Sequence, residues 1–131
     1  KQPYVMVGSD CGFVEQAGHP RGAGTFPRIL GYYVRERKVM SLMDALKKMT
    51  LLPAQRVHLT HKGEVKEGYD ADLVIFDENT IIDRATFEEP TLPPEGISYV
   101  LLNGEVAVRN NEIVNGRLGT YIPYAPAAKR G

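Results

Sequence analysis

The chain has 131 residues, 43% hydrophobic and 24% charged, enough apolar material for one globular domain and too much for a disordered segment. Sixteen basic residues balance sixteen acidic ones, which removes any electrostatic reason to expect nucleic acid or an anionic membrane as a partner. No apolar run approaches the roughly 18 residues of a membrane helix, the opening KQPYVMV carries no signal-peptide pattern, and the one cysteine, Cys11, cannot close an internal disulfide, which points to a reducing cytoplasm.

Residues 3–8 contain the unbroken apolar run YVMV, the pattern of a strand buried on both faces of a parallel sheet. The run starts with no cap or turn ahead of it, as if cut from a larger protein. Residues 9–25 are rich in glycine and read as a loop. Pro27 suits a first helical turn, so a helix is expected from there, with Thr25 as its cap. Ile29, Leu30, Tyr33 and Val34 then share one face. Gly31 weakens such a helix by about 1 kcal/mol relative to alanine, which implies a close-packing role.

Ser41 is placed to cap a second helix, with Asp44 in its first turn and Leu42, Ala45, Leu46 and Met49 as its buried stripe. LLPAQRVHL reads as a third, short helix starting at Pro53, and Met43, Met49 and Leu51 read as core packing. The character changes at Thr60. ADLVIF is a strong strand, and ISYVLLNGEVAV is a hairpin turning at Asn103-Gly104. NEIVNG adds a short strand and turn, FEEPTLPPEG is an exposed, mobile loop, and APAAKRG a frayed tail. The order is one βα unit and then antiparallel strands, an α/β part followed by a β part. A single βα unit cannot close a parallel sheet or cover its own faces, so a fragment of a larger fold is expected.

Catalytic groups of α/β folds sit beyond the carboxyl ends of the strands, which is where Asp10 falls. A carboxylate there can contact a metal, act as a general base, or cap a turn; spacing leaves all three open. Arg21 offers a planar fork suited to a carboxylate, or a partner for Glu15. His19 is either a metal ligand or a hydrogen-bonded loop residue, and Cys11 reads as an incidental small residue beside Asp10 rather than a nucleophile, lining the same cleft. His58 and His61 lack metal-site spacing, and the GAG at residues 22–24 is too short for a dinucleotide fingerprint.

The ordered segments VMVGSD, HPRGAGTFPRILGYYVRE, SLMDALKKMT, LPAQR, GEVKEGYDADLVIFD, TIIDRATFEEP, PEGISYVLLNGEVAV and GRLG cover nearly the whole chain. Together they resemble the C-terminal part of the N-acyl-D-amino-acid deacylases (D-aminoacylases) of the amidohydrolase superfamily. HPR…GTFPR and DRATFE are fairly specific to that branch; GxxADLVxFD with VxxNG is more widely shared. The resemblance implies that residues 1–60 are the last βα unit of a metal-dependent (β/α)8 barrel, and residues 61–131 strands of a composite β-sandwich. It implies zinc in the intact enzyme, its main ligands coming from earlier strands that this sequence does not contain.

On the same resemblance, Asp10 is the catalytic aspartate that takes a proton from the attacking water and returns it to the leaving amine, with at most a weak metal contact. Arg21 grips the substrate's α-carboxylate, and His19 of the same motif belongs to the substrate-binding set. The usual S-D-G reads Ser9-Asp10-Cys11-Gly12 here, which bears on side-chain preference. The implied substrate is an N-acyl-D-amino acid. The implied partner is the rest of the barrel or a second copy, and the piece alone is expected to be inactive. A cyclic-amide or dipeptide hydrolase of the dihydroorotase or hydantoinase kind, and a non-catalytic sandwich scaffold, are the alternatives.

Overall fold

The computed structural model describes residues 2–14 and 17–124. The expected frayed tail lies outside them. A helical layer comes first: α1 (Arg21–Arg28) runs directly into a π-helical segment (Ile29–Glu36), followed by α2 (Leu42–Met49) and α3 (Leu51–Arg56). A four-stranded antiparallel sheet follows, β3 (Leu73–Phe76), β4 (Ile97–Leu102), β5 (Glu105–Arg109) and β6 (Glu112–Ile113), in that spatial order. Ahead of the helices, β1 (Phe13–Val14) and β2 (Ala17–Gly18) pair as a small antiparallel ribbon within what the sequence presents as loop. No helix among the described residues is long and apolar enough to cross a membrane.

The first helix starts at Arg21, six residues before the expected Pro27. Gly22 and Gly24 argue locally against helix, but three contacts override them. The Arg21 N–H donates to His19 Nδ1 at 3.1 Å, the Gly22 N–H to the His19 carbonyl at 3.0 Å, and Gly24 packs against Asp83. Thr25 therefore lies inside the helix, its hydroxyl donating to the Arg21 carbonyl at 2.7 Å rather than capping an end. Pro27 is buried within α1 and offers no N–H to the ladder. Two residues later the helix widens, and the Arg37 N–H reaches back five residues to the Tyr32 carbonyl at 2.8 Å.

Residues 3–8 form no strand, contrary to expectation, and Tyr4, Val5 and Met6 are exposed. A parallel strand takes its hydrogen bonds from flanking strands, and no described strand lies beside these residues. They are held instead by α2. Lys48 Nζ donates to the carbonyls of Gln2 and Val5 at 2.5 and 2.9 Å, and the Val7 N–H donates to the Lys48 carbonyl at 3.1 Å.

Elsewhere local signals and structure agree, except at Met43: expected in the core, it is 71% exposed, because it falls off the Leu42, Ala45, Leu46 and Met49 stripe of α2. Ser41 caps α2, its Oγ accepting the Asp44 N–H at 3.1 Å, and Ala45 is fully buried. α3 starts at Leu51, with Pro53 in its first turn rather than at its start. Asn103 and Gly104 both adopt left-handed backbone, as a two-residue β4–β5 turn requires, and Asn110 and Asn111 repeat the device between β5 and β6. The core is small: Leu30, Ala45 and Ile81, flanked by Leu42, Leu46, Met49, Phe76 and Ile97. It joins the helices to the sheet, because Ile81 precedes the bridge between Ile82 and Glu95 that folds residues 77–96 back onto β3 and β4.

Candidate active site

Asp10 sits in left-handed backbone with φ of 47°, unusual for a residue with a side chain, and this turns its carboxylate out of the preceding segment. Its Oδ2 lies 3.0 Å from Arg21 Nη2. The Asp10 side chain is 91% exposed and that of Arg21 45%, so solvent or a ligand can reach the pair. The structure thus brings together the two residues that chemistry singled out in the sequence. Glu15, the other candidate partner of Arg21, lies outside the described residues.

His19 is the third member. Its Nδ1 accepts the Arg21 N–H, so the ring holds the first turn of the helix that carries Arg21. Its edge meets Phe87, ring centroids 4.9 Å apart at 75°. At the other end of α1, Arg28 Nη1 bonds Asp83 Oδ2 at 3.1 Å, and this hydrogen bond raises the Arg28 pKa above its ordinary value. The segments HPRGAGTFPR and DRATFE, far apart in sequence, are therefore packed on each other. Spacing could not have found Asp83 and Phe87, because Asp83 lies 55 positions from Arg28 and Phe87 farther still from His19.

Of the remaining candidates, His58 and His61 lie apart. Cys11 is exposed beside Asp10, with no sulfur partner among the described residues. His61 meets the Thr60 hydroxyl at 3.0 Å and the Tyr69 ring, and His58 faces Tyr124. Among the described residues no group of three or more His, Cys, Asp and Glu side chains converges to hold a metal ion. Two shallow hollows lie elsewhere, one beside Leu30, Arg35 and Ile81, the other beside Pro3, Asp44 and Lys48. Neither is lined by Asp10, His19 or Arg21.

Comparison with known proteins identifies the family. The chain matches the Amidohydrolase family over residues 4–108. Over 99 residues it is 48% identical to an N-acyl-D-glutamate deacylase of Alcaligenes xylosoxydans xylosoxydans, covering 76% of this chain and 20% of that protein. A crystal structure of D-aminoacylase superposes with a TM-score of 0.82 at 42% identity, covering 86% of this chain and 24% of that one. The N-acyl-D-glutamate deacylase of Bordetella bronchiseptica, solved with zinc and a phosphonate mimic of the tetrahedral intermediate, superposes with a TM-score of 0.78 at 45% identity, covering 81% and 22%. The chain spans about a fifth of the length of the curated relatives it matches. A match that takes in the Asp10–Arg21 pair, both packed motifs and most of the sheet places the chain in the Amidohydrolase family.

Proposed function

We propose that the chain is the portion of a longer zinc-dependent hydrolase that supplies the proton-transfer and carboxylate-binding groups for cleavage of N-acyl-D-amino acids. Residues 1–60 belong to its (β/α)8 barrel and residues 61–131 to a β-sandwich. The observation that carries this reading is the 3.0 Å approach of Asp10 to Arg21. In an N-acyl amino acid the α-carboxylate and the amide nitrogen are attached to the same carbon. A group that binds the carboxylate and a group that hands a proton to the nitrogen must therefore be close neighbours, as these two are. The choice of substrate class rests on the relatives, which are named as deacylases of this kind.

Arg21 presents a fork that a substrate carboxylate engages in two parallel hydrogen bonds. Asp10, open to solvent beside Arg21, takes a proton from the attacking water. It delivers the proton to the amide nitrogen as the C–N bond breaks, giving a carboxylate and a free amine. Zinc is present in the solved deacylase, and it polarises amide carbonyls when bound. Its main ligands are assigned to the rest of the protein, with at most a weak contact from Asp10. The lone thiol fits a reducing cytoplasm.

The test is turnover of N-acetyl-D-glutamate and its L-enantiomer by the full-length, zinc-loaded protein and its Asp10→Asn variant. The wild type is expected to hydrolyse the D form. The variant is expected to lose about 10²- to 10⁴-fold in turnover, as for loss of a general base, with zinc content unchanged. Turnover retained by the variant removes Asp10 from the reaction.

A further inference from the structure

We infer that His19 is a positioning residue for Arg21, held in place by Phe87; this rests on the proposed role of Arg21. Arg21 opens α1, and the first N–H groups of a helix have no acceptor within it. His19 supplies two acceptors from outside: Nδ1 for the Arg21 N–H at 3.1 Å and its carbonyl for the Gly22 N–H at 3.0 Å. With Nδ1 so occupied, that nitrogen is not free for substrate, and the neutral ring carries its proton on Nε2.

The first turn of α1 needs such a clamp, because it contains Gly22 and Gly24, and glycine ranks next to proline as a poor helix former. The ring itself is fixed from a distance. Phe87 meets it edge-on at 4.9 Å, in a turn closed by the Glu89 N–H donating to Thr86 Oγ1 at 3.0 Å. Asp83, four residues earlier, pins Arg28 at the far end of the same helix. Residues 83–87 thus meet α1 near both ends, Asp83 through Arg28 and Gly24, and Phe87 through the His19 imidazole. Loosening that contact leaves Arg21 charged and present but misaimed, and a misaimed carboxylate grip weakens substrate binding before it slows the chemistry.

The experiment uses the full-length, zinc-loaded protein with N-acetyl-D-glutamate. His19→Ala is expected to raise KM about three- to tenfold, the effect of losing one helix cap, with kcat changed less than about twofold. His19→Asn, whose side-chain oxygen can accept the Arg21 N–H, is expected to restore most of the affinity. Phe87→Ala is expected to raise KM in the same sense. In an Arg21→Ala background, His19→Ala is expected to add nothing further. The inference is overturned if His19→Ala leaves KM unchanged, if the asparagine variant is as weak as the alanine one, or if the His19 and Arg21 effects add in full. Should His19→Ala not fold, an unchanged KM in folded Phe87→Ala overturns it equally. If Arg21→Ala itself leaves KM unchanged, the carboxylate-grip reading falls and takes this inference with it. If Arg21→Ala raises KM and His19→Ala does not, only the inference falls.

Discussion

Gly31 lies so close to Ile81 that a Cβ added to it would stand 2.4 Å from the Ile81 carbonyl oxygen. The same carbonyl accepts a hydrogen bond from Arg35 Nη1 at 2.6 Å, one helical turn further on. The π-helical segment therefore rests directly on the backbone of the 77–83 connection. This contact sets how the helix carrying Arg21 sits over the sheet.

Gly31→Ala is predicted to destabilise the protein. Helix propensity alone would favour alanine by about 1 kcal/mol. Overpacking costs about 1–3 kcal/mol and falls at the upper end here, because the obstructing atoms are backbone and cannot swing aside. Urea unfolding of the full-length protein should show a lower midpoint. An equal or higher midpoint would mean that the helix and the Ile81 segment separate at little cost.

A second prediction concerns acid. Lys62 bonds both Asp70, at 2.9 Å, and Asp72, while the other Asp72 oxygen accepts the Asn103 N–H at 2.9 Å. Lys62 is the larger cause, and the Asn103 N–H adds to it, of an Asp72 pKa held below the ordinary carboxylate value against the opposite pull of burial. The unfolded chain, with Asp72 near its ordinary value of about 3.9, binds more protons in the window between the two values. The contribution of this carboxylate is therefore complete above its unfolded value and is lost as pH falls through the lower folded value. Exchange of the Asn103 amide should speed up across that window relative to neutral pH, after correction for intrinsic rates. Asp72→Asn should already be fast at neutral pH and change little on acidification. Identical acid profiles in the two proteins would remove Asp72 as the group that ties the turn to residue 62.

What could be read from the sequence follows from how far each determinant reaches. The Ser41 cap is settled within three residues, and the Asn103-Gly104 turn by two residues that tolerate left-handed backbone, so both are legible locally. Gly31 was legible as a packing site, though not what it packs against. The start of α1 was not legible, because the contacts that overcome two glycines include Asp83, far along the chain. The YVMV run misled for a related reason: apolar continuity marks a segment suited to a sheet interior, while strand formation depends on neighbours. Asp10 and Arg21 could be named from residue type and motif, but their meeting depends on the turn at Asp10 and the early start of α1.

The last prediction follows from Lys48, whose charged side chain is buried at 9% exposure. Two of its ammonium hydrogens are taken up by the carbonyls of Gln2 and Val5, and its own carbonyl receives the Val7 N–H. Residues 2–7 are thereby tied to α2 just ahead of Asp10. Lys48→Met keeps much of the apolar stem and removes both charged hydrogen bonds. The expected loss of stability is about 1.5–3 kcal/mol, the range for hydrogen bonds to a charged group. In the full-length protein, kcat/KM for N-acetyl-D-glutamate should fall as well, because the segment leading into Asp10 loses its tether. Lys48→Arg, which keeps the charge and the donors, should recover part of both. If Lys48→Met lowers the urea midpoint while kcat/KM stays unchanged, Lys48 serves the packing of α2 alone, and Asp10 is positioned by its own turn and by Arg21.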